Sequence, residues 1–375
     1  MNRSDASPSD SLLPQPLDRA RALPANFYAG AGMPALDRRA IFDRGWQLVG
    51  HVSQLQQAGD HVVADLAGLP VLAVRGADDQ IRVLHNVCRH RAGPIAQCDG
   101  LAAKSLRCRY HGWTYGLDGV LKSAPEMGGA TDFDPREIRL PQLQVRVWQG
   151  LVFAAASGDA MEFDALVAGI DARLGADHDL ARYGHHQRVG YDVACNWKVY
   201  IDNFLEGYHV PHVHPALNRM LDYRSYVTEV AEWHALQWSP LVTPDEGGDA
   251  TLYGSGDALY YWLWPNTMLN ILPGRLQTNR VVPMGVDRCR VEFDFYYAPD
   301  PEGTDANAAR AKREADLGFS DEVQHEDLHI CEDVQRGLAS GSYVPGRLNP
   351  VRESGVHHFH EMLRAAYRQA LHAPA

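Results

Sequence analysis

Cys88-Arg89-His90-Arg91-Ala92-Gly93 and Cys108-Arg109-Tyr110-His111-Gly112-Trp113-Thr114-Tyr115 set a cysteine–histidine pair at each end of one linker. Each pair offers one soft thiolate and one imidazole. Two thiolates on one iron and two imidazoles on a second form a recognised ligand set for a [2Fe–2S] cluster. Imidazole in place of thiolate raises the reduction potential, which suits a centre that passes single electrons onward. A structural Cys2His2 zinc site is the competing reading. Zinc fingers group Cys with Cys and His with His, whereas both pairs here are mixed. The two stretches therefore predict an iron–sulfur cluster clamped by neighbouring loops, with Cys88, His90, Cys108 and His111 as ligands.

The rest of the chain is long enough to carry a second function. Its 375 residues allow two domains, and 45% hydrophobic content supports a sizeable core. A net charge of −12 speaks against a nucleic-acid partner, because phosphate binding needs a basic surface. No apolar run approaches the roughly 20 residues that cross a bilayer, so no membrane anchor is expected. The polar, Pro/Ser-rich start (MNRSDASPSDSLLPQPLDRARALP) lacks the apolar stretch of a secretory signal and reads as a mobile lead-in, ordered from near Leu23. The expected location is the cytoplasm. There Cys98, Cys195, Cys289 and Cys331, widely spaced and differently flanked, read as free buried thiols.

Short Val- and Leu-rich runs separated by Gly and Asp turns fill 44–158: Trp46-Gln-Leu-Val-Gly, His61-Val-Val-Ala-Asp, Val71-Leu-Ala-Val and Ile81-Arg-Val-Leu. Gln142-Leu-Gln-Val-Arg-Val-Trp alternates, and Leu151-Val-Phe-Ala-Ala closes the segment. This pattern predicts a small all-β sandwich with both ligand loops at one end. Beyond it, helical periodicity falls at 163–174, 196–209, 320–340 and 356–372. Strands are expected at 223–238, 259–263, 267–272, 276–284 and 289–298, and a loop at 299–307. The whole reads as α+β: residues 1–43 as a lead-in and a helix that packs on the catalytic domain, 44–158 as the cluster domain, and 159–375 as an antiparallel sheet packed by helices.

A second metal site emerges from Asp202-Asn-Phe-Leu-Glu-Gly-Tyr-His-Val-Pro-His-Val-His214. Projected as a helix, Trp197, Tyr200, Ile201, Phe204, Leu205 and Tyr208 form an apolar stripe. Asp202, Glu206 and His209 group opposite it. Pro211 is expected to end the helix, letting His214 fold back toward His209. A 2-His-1-carboxylate iron centre needs one more acid. In 321–338, Val323, Ile330, Cys331, Val334 and Leu338 share one helical face with Asp327, while Glu326, Glu332 and Asp333 point elsewhere. A carboxylate on a buried stripe is costly unless paired or metal-bound. Pairing of Asp327 with Arg336 or Arg364 is the alternative.

Cys-x-His…Cys-x-x-His, followed by Glu-x-x-His-x4-His and a distant Glu-Asp before Cys-Glu-Asp-Val-Gln-Arg-Gly-Leu, resembles the catalytic subunit of Rieske non-haem iron oxygenases from about Asn26 to Tyr367. Within that family the nearest likeness is to choline monooxygenase-like oxygenases of quaternary amines. It is carried by Asp202-Asn-Phe-Leu-Glu-Gly-Tyr-His-Val-Pro, Trp264-Pro-Asn, Gln277-Thr-Asn and Gly355-Val-His-His-Phe-His. The resemblance implies a Rieske domain plus a helix-grip-like catalytic domain. It also implies that His209, His214 and Asp327 ligate a mononuclear Fe(II), with His212 the rival for the second position. Glu206 would then bridge a Rieske histidine to an iron histidine across a subunit boundary; many relatives carry Asp there, and Asp202 is the fallback bridge. A ring-shaped homo-oligomer, usually a trimer, follows from the same resemblance. So does a separate flavin-dependent NAD(P)H reductase, since this chain has no G-x-G-x-x-G opening a βα unit.

The expected reaction is hydroxylation or N-demethylation of a small quaternary-ammonium substrate such as choline, glycine betaine or a related betaine, using O2. An aromatic box would hold the cation. Phe204, Tyr208, Tyr260, Tyr261, Trp262 and Trp264 are its candidates, with Gln277, Thr278 and Asn279 toward a polar end. Aromatic ring hydroxylation or O-demethylation remains open as an alternative. So does a Rieske electron carrier without oxygenase activity, which leaves Glu206, His209, His214 and Asp327 without a purpose.

Overall fold

A computed structural model describes residues 10–175, 178–242 and 252–372. Contacts divide the chain into two compact units. One is Phe42–Phe163 with Asp179–His185; the other comprises Met1–Ile41, Asp164–His178 and His186–Ala375.

The first unit is built from three small sheets. Strands β1 (Gln47–His51), β9 (Leu151–Ala155) and β8 (Gln144–Trp148) form one, and β2 (His61–Leu66), β3 (Leu69–Arg75) and β4 (Ile81–His85) the next. The third joins β5 (Leu106–Arg107), β6 (Thr114–Tyr115) and β7 (Leu121–Ser123). Two-residue turns with positive φ at both positions, Ala67-Gly68 and Gln149-Gly150, close the β2–β3 and β8–β9 hairpins. Cys88 and Cys108 lie in one hydrophobic core with Leu72, Leu84, Trp113 and Tyr115, so the ligand loops are rooted in packed side chains.

The second unit holds a seven-stranded sheet ordered β10-β16-β15-β14-β13-β12-β11. Its strands are β10 (Gly184–Val193), β11 (Val227–Val230), β12 (His234–Pro240), β13 (Asp257–Leu263), β14 (Thr267–Leu272), β15 (Arg275–Pro283) and β16 (Cys289–Tyr297). The run expected at 223–238 is two strands, because the chain reverses where the Ala231 N–H bonds the His234 carbonyl. Strand β10 escapes the sequence reading, since His185-His186-Gln187-Arg188 shows no apolar alternation and stays largely unburied. Helices Trp197–Phe204, Ala306–Ala339 and Ser354–His372 accompany the sheet. The segment 163–174 is broken into two short helices at Gly169, whose φ is +82°.

A buried ion pair ties this unit together. Lys198 Nζ lies 2.5 Å from Asp37 Oδ2, on the Met33–Ala40 helix, and Asp37 also accepts from Trp197 Nε1 (2.8 Å) and Tyr367 OH (2.5 Å). Three hydrogen bonds from three partners compensate the buried carboxylate. The lead-in is held earlier than expected. His357 Nε2 lies 2.6 Å from the Gln15 carbonyl and Arg364 Nε donates to the Ser11 carbonyl (3.1 Å). Residues 1–9 lie outside the described residues. Of the four remaining cysteines, Cys98 is exposed rather than buried, being on a loop, and all are free.

Candidate metal centres and their cavity

The two cluster loops close in the same way. Cys88 N–H bonds the Gly93 carbonyl (2.8 Å) and Ala92 N–H returns to the Cys88 carbonyl (3.0 Å). Cys108 N–H bonds the Trp113 carbonyl (2.9 Å) and Gly112 N–H returns to Cys108 (3.0 Å). The fourth residue after each cysteine is left-handed, with φ +57° at Ala92 and +75° at Gly112. Asn86 anchors the segment after the first loop by accepting from the Ile95 and Ala96 N–H groups, both at 2.9 Å. The thiols are buried, whereas His90 and His111 are exposed with ring centroids 4.6 Å apart. Tyr115 OH lies 3.3 Å from Cys88 Sγ and accepts from Arg89 N–H (3.0 Å), and His90 stacks on Trp113. Two buried thiols below two adjacent imidazoles suit a [2Fe–2S] cluster with cysteines on the inner iron and histidines on the outer.

In the second unit the helix expected over 196–209 stops at Phe204. Gly207 sits against Tyr226, where an added Cβ would lie 2.6 Å from the ring, so only glycine lets the chain bend this close to it. Pro211 does not terminate a helix; it opens the short Val210–Val213 turn of helix, where its missing N–H costs nothing. The non-helical stretch brings Glu206 onto His209: Oε1 lies 2.7 Å from Nδ1 and Oε2 accepts the backbone N–H at 3.0 Å. His214, only 1% exposed, folds back so that Nε2 lies 3.0 Å from Asp327 Oδ1, and His209 Nε2 is 3.8 Å from the same oxygen. Ligand atoms of His209, His214 and Asp327 all fall within 4.8 Å of one another. His212, the rival, is exposed.

Both imidazoles present Nε2 to Asp327 because carboxylates hold both Nδ1 atoms. Glu206 holds His209, and Glu326 holds His214 at 2.7 Å. Glu326 was expected to point away; the long helix turns it onto His214. Burial opposes the His214 imidazolium, but hydrogen bonds and charge from Asp327 and Glu326 outweigh it and raise the pKa. Asn203 Nδ2 donates to Asp327 Oδ1 at 2.6 Å. Two imidazoles and a carboxylate, oriented by outer carboxylates, suit a facial-triad iron(II). Arg336 pairs with Asp333 and Arg364 with Glu361, so neither neutralises Asp327. Asp202 is committed elsewhere: it accepts from Tyr28 OH (2.6 Å) and meets His360 Nε2 (2.9 Å).

The triad opens into a cavity of about 120 Å³ between sheet and helices. Gln237, Tyr260, Asn270 and Gln277 are successive partners across β12, β13, β14 and β15, so one register row faces it. Phe204, Tyr226, Tyr253, Phe293 and Asn279 complete much of the wall. Five expected contacts lie outside this lining: Tyr208, Tyr261, Trp262, Trp264 and Thr278. Tyr208 is 46% exposed, and Tyr261 points to the opposite sheet face, toward His234. Trp264 packs edge-on against Trp262. A separate groove of about 630 Å³ reaches His209 and Glu206 past Asp202, Glu353, Tyr28 and His360. There burial, reinforced by the charges of Glu206 and Asp202, raises the Glu353 pKa.

Sequence relationships agree with this geometry. Residues 45–143 match the Rieske [2Fe–2S] domain family, and residues 180–369 match the ring hydroxylating alpha subunit (catalytic domain) family. Choline monooxygenase of Arabidopsis thaliana is 34% identical, over 93% of this chain and 83% of its own length. The carnitine monooxygenase oxygenase subunit of Escherichia coli K12 is 28% identical, over 97% of this chain and 100% of its own. A solved quaternary ammonium Rieske monooxygenase in complex with gamma-butyrobetaine superposes with TM-score 0.81 and 26% identity, covering 96% of this chain and 99% of that one. The paired loops, the triad and these matches place the chain in one group: it belongs to the Rieske-type non-haem iron oxygenases, as a catalytic alpha subunit with a [2Fe–2S] cluster and a mononuclear iron.

Proposed function

We propose that this chain hydroxylates a small quaternary-ammonium compound, monooxygenating it or removing an N-methyl group. The observation that carries the reading is the convergence of His209, His214 and Asp327 on one point beside a cavity walled by Phe204, Tyr226, Tyr253 and Tyr260. Aromatic faces attract a cation without a counter-charge of their own. Choline and carnitine oxygenases among the relatives support the same substrate class.

In this reading Cys88, His90, Cys108 and His111 hold the cluster within residues 44–158. The triad holds the iron within 159–375; of the lead-in 1–43, residues up to Ile41 that are described pack with that domain, and Phe42 and Asp43 go with the cluster unit. Iron in such a triad supplies oxygen activation. The chain's own residues do the rest. Glu206 and Glu326 fix which imidazole nitrogens face Asp327, and Asn203 fixes the carboxylate. The aromatic wall orients the substrate and excludes water. Overall, one C–H bond becomes C–OH while O2, two electrons and two protons yield one water. Hydroxylation of an N-methyl carbon gives a hemiaminal that releases formaldehyde.

The electrons come from a separate flavin-dependent NAD(P)H reductase, and the protein works in the cytoplasm as a homotrimer. Exposed Arg89, Arg91 and Arg109 surround the cluster histidines, and the groove beside Glu206 carries Asp202 and Glu353. That charge match supports docking of one copy's cluster loops at another copy's groove, with Glu206 as the bridge. No helix among the described residues is long and apolar enough to cross a membrane.

Purified protein should contain three irons per chain. After dithionite reduction of the cluster, one exposure to O2 with a panel of choline, betaines, carnitine and aromatic acids should convert a quaternary amine, read by product mass and formaldehyde. Conversion of aromatic acids alone would overturn the reading.

A further inference from the structure

The cavity carries a single Lys or Arg among its described lining residues, Arg275, and that cation is already balanced. Arg275 is 5% exposed and its Nε donates to Asp316 Oδ2 at 2.9 Å. Asp316, 2% exposed, accepts in addition from Tyr253 OH (2.5 Å) and Tyr297 OH (2.6 Å). The guanidinium Nη2 donates to Gln277 Oε1, which Ser320 Oγ also reaches at 3.1 Å. A carboxylate brought to this wall would meet the charge of Asp316 together with that of Arg275. Its lost hydration would go unrepaid.

The same cavity leaves a donor and an acceptor open. Gln324, 2% exposed, has its Oε1 taken by Tyr200 OH (2.7 Å), and its Nε2 has no partner. Asn270 Oδ1 also has none. Both residues line the cavity. Buried polar atoms without partners are rare enough to call for an explanation. A hydroxyl can accept from one and donate to the other, whereas an ionised carboxylate can only accept.

We propose that the Arg275–Asp316 pair, with Gln324 and Asn270, is the specificity-determining element for the substrate's oxygen-bearing end. It selects an uncharged alcohol and rejects a carboxylate. The inference rests on the cavity assigned above as the substrate site, and its test separates the oxygen end from the ammonium end.

Calorimetric titration of anaerobic, iron-loaded enzyme would compare choline with glycine betaine. It would also compare their ammonium-free carbon analogues, 3,3-dimethylbutan-1-ol and 3,3-dimethylbutanoate. Each alcohol should bind at least about tenfold more tightly than its acid. Asp316→Asn uncovers the charge of Arg275 and should swing the ratio toward the acids by about tenfold or more. The double variant Arg275→Leu with Asp316→Asn removes both charges and should keep the preference for alcohols. Acids binding as tightly as alcohols to the unmodified enzyme would overturn the proposal, whether or not Asp316→Asn folds. If neither quaternary ligand binds while dimethylbutanol still outcompetes dimethylbutanoate, the quaternary-amine reading fails and this one stands.

Discussion

Asp327 lies on the long helix with two imidazole Nε2 atoms and the Asn203 amide aimed at it. Asp327→Ala should lower iron from three per chain to two, leaving the cluster's visible absorption intact. His212→Ala should leave three, because that ring is exposed. Metal analysis beside the cluster spectrum checks both. Glu206→Gln keeps the shape but alters the charge against His209. It should retain iron while slowing cluster reoxidation in a single turnover by about 10–100-fold. Unchanged reoxidation would remove Glu206 from the electron path. The meeting of His209, His214 and Asp327 was legible because histidines and acids crowd 202–214 and because Asp327 alone stood on an apolar stripe where periodicity called for burial. Glu326, Asn203 and Gln324 were not, since nothing local says which neighbour a buried amide or acid will meet.

The helix Ala306–Ala339 shows why element-level reading fell short. Its buried face runs Asp316, Ser320, Gln324, Cys331, Gln335 and Leu338, mostly polar, while Val334 is 45% exposed. Hydrophobic periodicity sees half of such a helix, and the expected span began only at 320. Strands β13 to β16 fell close to expectation because residues on both faces of these strands are buried, giving near-continuous apolar runs in β13 and β14. Strand β1 carries a pH effect at the same scale. His51 is fully buried; its Nδ1 accepts from the Ser53 N–H (3.1 Å), and its Nε2 lies 3.2 Å from the Leu180 carbonyl. Burial lowers its pKa to about 4. Below the ordinary value of about 6.5, the unfolded chain takes up a proton that the folded chain refuses. The stability that the neutral ring contributes is complete above pH 6.5 and declines as pH falls to about 4, by about 3 kcal/mol. Denaturant midpoints of the cluster unit should fall across that window. His51→Asn should flatten the slope, and an equally steep variant would discount the group.

For the whole molecule, the decisive property is where a reduced cluster sends its electron. The charge match between the cluster loops and the acidic groove predicts transfer between copies. Mixing His111→Ala chains, whose cluster is lost, with Asp327→Ala chains, whose iron is lost, should restore turnover once subunits exchange. Each variant alone should be inactive. No recovery in verified mixed oligomers would confine transfer to one chain. A β-rich segment, 44–158, was legible ahead of a mixed helix-and-strand remainder. The assignment of Asp179–His185 to the first unit was not, because a short return segment has no pattern of its own.

Asp316 and Asp327 sit about three turns apart on one continuous helix, roughly 16 Å along its axis. That helix therefore acts as a rigid ruler between the charge that screens Arg275 and the oxygen that faces His209 and His214. Inserting a single residue between them would rotate one relative to the other by about 100° and misalign both tasks at once. Natural variation in the size of the molecule accepted should accordingly arise from the side chains of the facing strands, and seldom from changes in the length of this segment.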